Sequence, residues 1–179
     1  AGSAAPLREG KGTMFDGGCR EPTLAWWPGK IPANSVCKEP AMTIDLLPTI
    51  TKMIGAKLPG HKIDGKNILP LMLRDDAKSP QKAYFFYYGN QLQAVRQGKW
   101  KLHFPHGYRT MAGKPGGTGG IPTNYSQAKI DLALFDLEQD IGETKNLKDE
   151  FPKVVQSLSE LGKNFEQKLK KTKRPAGKL

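Results

Sequence analysis

The stretch PLREGKGTMFDGGCREPTLAWWPGK, residues 6–30, decides how the rest of the chain is interpreted. It begins as a basic loop in which Lys11 stands between two glycines, and it turns again at Gly17-Gly18. Glycine leaves room for a ligand to approach the backbone, and a lysine ammonium is a compact donor for a phosphate or sulfate oxygen. A lysine in such a loop is more often an ordinary solvated side chain. From these residues alone, both interpretations of Lys11 stay open.

The end of this stretch predicts a strand. Residues 23–27 are largely apolar and aromatic, and Pro28-Gly29 would end them. Residues 6–32 resemble the block that follows the metal-binding Asp-Asn pair of type I sulfatases, the formylglycine-dependent, arylsulfatase-like enzymes. The matching positions are Pro6, Leu7, Arg8, Gly10, Lys11, Gly17, Gly18, Arg20, Pro22, Trp27, Pro28 and Gly29, and Asp16 stands where the family usually has Glu. The resemblance implies that Lys11 is a catalytic residue that contacts the substrate sulfate.

The following region predicts a helix. Its apolar residues have helical spacing, at Leu46, Leu47, Ile50, Met53 and Ile54. Asp45 is expected to cap this helix, Pro48 falls in its first turn, and Gly55 ends it. Residues 43–59 and 61–72 each resemble a sulfatase segment, and residues 68–73 predict one short buried turn.

Beyond residue 82 the apolar residues no longer have helical spacing and instead recur at every second position, which predicts strands. The predicted strands are residues 83–88, 92–96, 100–104 and 132–137, and the middle two form a hairpin around Gly98. In the second arm of this hairpin, Lys101 and His103 face away from Trp100, Leu102 and Phe104.

A long amphipathic helix is predicted after a turn at residues 140–143. Its apolar stripe comprises Phe151, Val154, Val155, Leu158, Leu161, Phe165 and Leu169. We expect a cap near Asp149, and we expect Gly162 to weaken the helix by about 1 kcal/mol relative to alanine. Strands covered by one helix form a small α+β unit.

The resemblance implies an α/β, alkaline-phosphatase-like sulfatase fold. In that interpretation residues 1–74 are the C-terminal part of the catalytic α/β domain. Residues 75–179 are then a C-terminal subdomain with an antiparallel sheet and a terminal amphipathic helix. The segments AVRQGKWKLHF, at residues 94–104, and LFDLEQDIGETKNL, at residues 134–147, resemble parts of that subdomain.

Residues 105–125 are predicted to form a long loop, a length that indicates function or mobility. A phosphate-binding P-loop is excluded because Lys114 is followed by proline. By resemblance, His106, Tyr108 and Arg109 bind substrate, since loops of this subdomain overhang the catalytic pocket in sulfatases. The alternative for Arg109 is an ordinary surface arginine. No metal ligands are predicted, because His103 and His106 have no third partner of suitable spacing.

Sulfatases of this family use a formylglycine made in a C/S-x-P-S-R motif and a Ca²⁺ ion held by aspartate and asparagine. Neither that motif nor the Asp-Asn pair occurs in this chain. Cys19 and Cys37 lie in other contexts, and whether they are bridged is left open. The resemblance therefore implies a sulfate-ester hydrolase whose formylglycine and Ca²⁺ ligands lie elsewhere, so this chain alone is expected to be inactive. It also implies a periplasmic, secreted or lysosomal location.

The charge supports a second hypothesis, a non-catalytic basic module. Of a net charge of +11, a large share lies after residue 162, where seven Lys or Arg accompany one acid. Such a run can bind an anionic polysaccharide or nucleic acid. Nucleic acid is the weaker partner, because the aromatics at residues 84–88 lie on a different element from the basic tail. No apolar run reaches the length of a membrane span.

Overall fold

The computed structural model describes residues 4–115, 117–119, 121 and 123–173. They form two compact units. Unit 1 combines the chain up to Glu21 with the chain from Ala83 onward, and unit 2 is Pro22–Lys82. The predicted division between residues 74 and 75 stays a prediction. Among the described residues, no helix is long and apolar enough to cross a membrane.

Helices and strands follow one another in this order. They are α1 (Asp16–Cys19), a 3₁₀ turn (Thr43–Asp45), α2 (Leu46–Met53), α3 (Leu69–Leu73), β1 (Tyr84–Tyr88), β2 (Gln91–Gln97), β3 (Trp100–His103), β4 (His106–Thr110), β5 (Ser126–Ile130), β6 (Ala133–Asp136) and α4 (Pro152–Thr172). The strands of unit 1 form a four-stranded antiparallel sheet, ordered β1-β2-β3-β6, and a two-stranded antiparallel sheet, β4-β5. The predicted antiparallel sheet with a terminal helix is confirmed.

Helix α4 covers one face of the four-stranded sheet. The core of this face comprises Leu92, Val95, Leu102, Leu134 and Leu158. Aromatic pairs extend it, because Phe85 stacks on Phe165 at 3.7 Å between ring centroids and Trp100 meets Phe151 at 4.8 Å. The predicted apolar stripe of α4 therefore packs against the sheet, while Leu169 near its end stays exposed.

Gly162 has a packing role that the sequence did not indicate. A Cβ added at this position would lie 3.0 Å from Phe104, 3.1 Å from Val95 and 3.2 Å from Leu92. The absence of a side chain allows α4 to approach the sheet closely. The lower helix propensity of glycine is thus offset by tight packing.

The opposite face of the sheet is also buried, and it is charged. Lys101 and His103 point away from Leu102, as the alternation predicted, and both have no exposed surface. Phe135 and Ala133 of β6 are buried with them. This face is covered by residues 8–16 and by the turn at residues 140–143, which meet there.

The structure corrects two predictions of strands and loops. Residues 23–27 are not a strand, because no other strand of the described chain pairs with them. Residues 105–125 are not one loop, because residues 106–110 pair as β4 with β5, and the register places Tyr108 opposite Ala128. The connection that remains is residues 111–125, of which Gly116, Gly120 and Pro122 lie outside the described residues.

The structure corrects one of the two predicted helix caps. Phe151, not Asp149, is the N-cap of α4, and Pro152 occupies its first position. Asp45 is the N-cap residue of α2, as predicted, but its side chain makes no capping hydrogen bond to this helix. Its carboxylate instead accepts hydrogen bonds from the backbone N–H of Met42 at 2.9 Å and of Lys66 at 2.7 Å. Asp45 therefore joins separate segments of unit 2.

Other local predictions are confirmed. Helix α2 ends at Met53, and Gly55 follows with a φ of +67°. Leu71 is buried in the short turn α3. The β2-β3 hairpin turns at Gly98, whose φ is +58°. Whether Cys19 and Cys37 are bridged was left open by the sequence, and both are free thiols.

The close approach at Gly162 gives a testable prediction. Helix propensity alone predicts that Gly162→Ala stabilises α4 by about 1 kcal/mol. We expect the opposite, a lower Tm, because overpacking a buried contact costs about 1–3 kcal/mol. The control is Asn164→Ala at an exposed position of the same helix, which should raise the Tm slightly. Thermal unfolding followed by circular dichroism measures both, and a stabilised Gly162→Ala variant would contradict the packing role.

Candidate functional site

Arg8 anchors the loop at residues 6–15 to the rest of unit 1. Its guanidinium donates to the carbonyl oxygen of Glu143 at 2.7 Å and to the hydroxyl of Tyr108 at 3.2 Å. The same guanidinium lies 4.1 Å from the ring centroid of Phe15, which is completely buried. A cation held over an aromatic face in a dry environment is a favourable contact. The loop is therefore a fixed part of the unit.

Lys11 lies where this loop meets β4. Its side chain is exposed, and its carbonyl oxygen accepts a hydrogen bond from Arg109 Nη2 at 3.1 Å. Gly12 follows with a φ of +96°, and a Cβ at Gly12 would collide with the Arg109 guanidinium. The arginine thus occupies the space that the glycine leaves, so the backbone under Lys11 is held while its ammonium stays accessible.

Further contacts attach the same loop to β4. The hydroxyl of Thr110 donates to the carboxylate of Glu9 at 2.8 Å. Arg8, Lys11 and Glu9 therefore contact three successive residues of β4, which are Tyr108, Arg109 and Thr110. The structure thus brings Lys11 together with two of the three predicted substrate-binding residues. Their catalytic and binding roles remain predictions.

Arg109 has several local contacts besides Lys11. Its guanidinium carbon lies 4.6 Å from the ring centroid of Tyr125. Its Nε is buried and has no hydrogen-bond partner among the described residues. An arginine has five N–H donors in a planar fork, and the bond to Lys11 uses one of them. These contacts orient the side chain and also limit how far it can move.

His106, the third predicted substrate-binding residue, is more buried than the loop prediction implied. Its Nδ1 donates to the carbonyl oxygen of Phe104 at 2.7 Å, which leaves Nε2 as the acceptor. That Nε2 is buried and has no partner in the described part of the chain. Burial lowers the pKa of His106 below its usual value. The ring stacks near His103, at 5.6 Å between centroids.

Beneath these residues lies a buried ionic group that sequence reasoning missed. We call Asp16, Lys101, His103 and Glu143 the Lys101 cluster. The Lys101 ammonium lies 2.7 Å from Asp16 Oδ1 and 3.0 Å from Glu143 Oε1. None of the three side chains is more than 4% exposed. Burying a charge is costly unless it is paired and hydrogen-bonded, and here one cation is placed between two carboxylates.

Glu143 is the member with the most partners. Its Oε1 also lies 2.9 Å from His103 Nε2, and its Oε2 accepts the backbone N–H of Asp16 at 2.6 Å. Burial alone would raise the pKa of Glu143, but the hydrogen bond to His103 and the charge of Lys101 hold it below the usual value. Glu143 is therefore ionised at neutral pH.

His103 is neutral in this surrounding. Burial lowers the pKa of His103 to about 4. The hydrogen bond that His103 donates to Glu143 opposes this shift, and the nearby Lys101 charge adds to it. The neutral ring donates its Nε2 proton to Glu143. It also stacks on Phe15, at 4.6 Å between centroids. The histidine is thus a fixed neutral donor at the base of the loop that carries Lys11.

The Lys101 cluster joins three segments that are far apart in sequence. Asp16 comes from α1, Lys101 and His103 from β3, and Glu143 from the turn after β6. The sequence feature that pointed toward this cluster was the alternation of apolar and polar residues in β3, which placed Lys101 and His103 on one face. Charged residues in alternation usually face solvent, so that signal alone would not have identified a buried cluster.

A metal does not fit the donor set described here. Among the described residues, no group of three or more His, Cys, Asp and Glu side chains is arranged to hold a metal ion. In the Lys101 cluster, the position between the carboxylates is taken by the ammonium group. The described residues therefore offer no ligand set for Ca²⁺.

Comparison with known proteins identifies the family. A model described as the C-terminal region of aryl-sulfatase matches residues 79–179, and one described as N-sulphoglucosamine sulphohydrolase, C-terminal, matches residues 10–106. The chain belongs to the sulfatase family. It is 39% identical to arylsulfatase A of Bos taurus and of Homo sapiens over 173 residues, covering 89% of this chain and 33% of each relative. N-acetylgalactosamine-6-sulfatase of Mus musculus is 36% identical over 154 residues, covering 79% of this chain and 29% of the relative.

Solved sulfatase structures show the same fold. The PsFucS1 sulfatase from Pseudoalteromonas sp. superposes with a TM-score of 0.75 at 24% identity, over 93% of this chain and 33% of that one. A sulfatase from Bacteroides thetaiotaomicron superposes with a TM-score of 0.66 at 25% identity, over 89% of this chain and 32% of that one. The predicted α/β, alkaline-phosphatase-like sulfatase fold is confirmed. The chain spans about one third of the length of these relatives.

Removal of the buried cation should strongly destabilise unit 1. In Lys101→Met, Asp16 and Glu143 lose their shared partner while remaining buried. Breaking a buried pair in this way costs about 3–5 kcal/mol. The control is Lys129→Met at an exposed position of β5, which should change stability by less than about 0.5 kcal/mol. Urea unfolding followed by tryptophan fluorescence measures both. Equal stabilities of the two variants would show that the cluster is not held by Lys101.

The lowered pKa of His103 predicts a loss of stability in acid. Between pH 6.5 and about 4 the unfolded chain binds a proton that the folded histidine does not, so the free energy of unfolding falls as the pH is lowered through this window. A shift of this size corresponds to roughly 3 kcal/mol. Glu143 adds a further loss of stability below its usual pKa. In His103→Gln the free energy of unfolding should change less between pH 6.5 and 4 than in the unchanged chain. Urea unfolding midpoints measured across this range test this prediction, and parallel curves for the two proteins would contradict it.

Proposed function

We propose that this chain supplies the C-terminal part of a sulfatase that hydrolyses sulfate esters, and that Lys11 contacts the sulfate group. The observation that carries this proposal is the combination of a fixed backbone and a free ammonium at Lys11. Arg109 holds the carbonyl of Lys11, while the lysine side chain is exposed. Membership of the sulfatase family supports it, since the matched block contains this lysine.

The contribution of Lys11 to the reaction follows from charge. When the sulfur–oxygen bond of a sulfate ester breaks, negative charge builds on the oxygens around sulfur and on the leaving group. A preorganised ammonium beside those oxygens stabilises this charge more in the transition state than in the ground state. The loop contacts made by Arg8 and Arg109 provide the preorganisation. The formylglycine and Ca²⁺ typical of the family would supply nucleophilic attack and further charge stabilisation from residues outside this donor set.

Substrate selection is assigned to the end of unit 1 that carries β4. Arg109 and Tyr108 lie beside the Lys11 loop, and a guanidinium can bind a sulfate or carboxylate through two N–H groups at once. His106 offers its free Nε2 from a buried position, so it would act by positioning β4 more than by direct contact. Aryl sulfates and sulfated sugars are both compatible with this arrangement.

The basic end of α4 supports a second candidate function. Lys168, Lys170 and Lys171 are exposed on its last turns, and the basic residues at positions 174 and 178 lie outside the described residues. A run of this kind can bind an anionic polysaccharide in addition to any catalytic role. Such binding should weaken steeply with salt and should survive Lys11→Ala.

The chain by itself is expected to be catalytically inactive. The purified 179-residue chain should show no turnover of an aryl sulfate, because it lacks the nucleophile motif and the described residues form no metal site. Release of the phenol is measured by absorbance over a long incubation. Turnover above the rate in buffer would contradict the proposal that the nucleophile and the metal ligands lie outside this chain.

The contribution of Lys11 to hydrolysis is tested in an active enzyme. A chimera joins the N-terminal two thirds of arylsulfatase A from Bos taurus to residues 1–179, in place of the region that they match. In this chimera Lys11→Ala should lower kcat/KM by about 10²–10³-fold, a loss typical of removing one charge-stabilising donor. The control Lys129→Ala replaces an exposed lysine of the same unit and should leave kcat/KM unchanged. A folded chimera in which Lys11→Ala behaves like the control would contradict the role of Lys11.

A further inference from the structure

Glu9 adopts a backbone conformation that is unfavourable for a glutamate. Its φ is +60°, in the left-handed region that glycine enters freely and other residues rarely adopt. Among the non-glycine residues that the structure describes, Asn34 and Glu143 are the others with a positive φ. Strain of this kind persists only where the surrounding structure imposes it, and it is concentrated at functional sites. Glu9 lies two residues before Lys11.

The side chain of Glu9 has a defined partner on β4. The Thr110 hydroxyl lies 2.8 Å from one oxygen of the Glu9 carboxylate and 2.9 Å from the other. The same hydroxyl oxygen accepts the backbone N–H of Ala112 at 2.9 Å. Because that oxygen already accepts a hydrogen bond, its single proton is directed toward Glu9. Thr110 is buried, so water competes little for this contact.

The backbone at Glu9 is fixed by Gly17. Gly17 donates its N–H to the carbonyl oxygen of Arg8 at 3.0 Å. A Cβ at Gly17 would collide with the carbonyl oxygens of both Arg8 and Glu9, so the two segments touch through their backbones. The left-handed turn is therefore held at its side chain by Thr110 and at its backbone by Gly17.

Charge neutralisation does not explain why a glutamate occupies this turn. No ion pair among the described residues includes Glu9, although Arg8 precedes it and Lys11 follows closely. The Arg8 guanidinium is bonded instead to Glu143 and Tyr108. A glycine would adopt the same φ without strain. What the glutamate adds is the carboxylate that binds Thr110.

We propose that Glu9 is a positioning residue for Lys11, since its bond to Thr110 holds the left-handed turn that orients the lysine ammonium toward the sulfate. Arg109 holds the carbonyl oxygen of Lys11 itself. Two adjacent residues of β4 thus fix the chain at Lys11 and two residues before it. A charged donor stabilises a transition state only while it stays in place. This inference rests on the proposed function, because it assigns Lys11 to the sulfate.

Two substitutions of Glu9 separate positioning from stability in the chimera of arylsulfatase A with this chain. Glu9→Ala removes the carboxylate and keeps the strain, whereas Glu9→Gly removes both. Glu9→Gly should therefore have the higher Tm of the two. Both should nevertheless lower kcat about tenfold and change KM less than about twofold. A kcat that recovers together with the Tm in Glu9→Gly would overturn the positioning role in favour of a structural one.

Three further variants serve as matched controls. Thr110→Val removes the partner of Glu9 and should lower kcat as Glu9→Ala does. Glu9→Gln keeps an acceptor oxygen for Thr110 and should retain most of the kcat. Asn34→Gly changes an exposed residue of unit 2 that has nearly the same φ, +59°, and should leave kcat unchanged. A normal kcat in Thr110→Val, or a loss in Glu9→Gln equal to that in Glu9→Ala, would contradict the bond as the cause.

A double-mutant cycle tests whether Glu9 acts through Lys11. In the Lys11→Ala chimera, adding Glu9→Gly should lower kcat no further, because the group that Glu9 positions is already absent. Two losses that multiply would show that Glu9 acts independently of Lys11, and this result would overturn the proposal.

Failure of the proposed function is recognised separately. A chimera that hydrolyses no sulfate ester, or in which Lys11→Ala has no effect, contradicts that function. The hold of Glu9 on the loop is then measured in the 179-residue chain by hydrogen exchange of the Thr13 and Gly17 amides, which bond to Gly10 and Arg8. Glu9→Gly should speed this exchange about tenfold or more and Asn34→Gly should not, and equal exchange in the two variants would overturn the positioning. An active chimera that requires Lys11 but keeps its full kcat in Glu9→Ala and Glu9→Gly contradicts only the positioning role.

Discussion

The buried ammonium of Lys101, placed between Asp16 and Glu143, is the interaction on which unit 1 depends. Each of these three charges would be strongly unfavourable if buried alone, and Lys101 is the cation that both carboxylates share. The pairing also has a geometric consequence, because Asp16 belongs to α1, Lys101 to β3 and Glu143 to the turn after β6. One cation thereby determines where three distant segments meet.

This arrangement links the candidate site to the C-terminal sheet. The loop that presents Lys11 is attached through Arg8 to the carbonyl of Glu143, whose carboxylate binds the backbone of Asp16. His103 completes the support as a neutral donor packed against Phe15. The sheet therefore does more than cover the end of a sulfatase chain, since it also positions the lysine that we assign to sulfate binding.

The elements with a clear apolar period were predictable, and those without one were not. The β2-β3 hairpin and the stripe of α4 follow directly from apolar periods, and their apolar sides pack together within unit 1. Strands β4 and β5 were missed because HGYRT and SQAKI have few apolar residues and an exposed glycine and lysine. Residues 23–27 carry a strand pattern without a partner in the described chain. Lys11, Tyr108 and Arg109 were identified by resemblance, but the cluster beneath them depends on contacts across more than 80 residues of sequence.

The two faces of the four-stranded sheet together explain why one register is selected. A slip of β3 by one residue would move Lys101 and His103 into the apolar layer under α4 and would move Leu102 among the carboxylates. An apolar layer alone tolerates several arrangements of similar side chains, whereas a buried cation has a favourable position only between its two acids. The cluster therefore contributes specificity for one register. That specificity fits the role that we propose for Lys11, because a slip of β3 would displace the loop that presents this lysine.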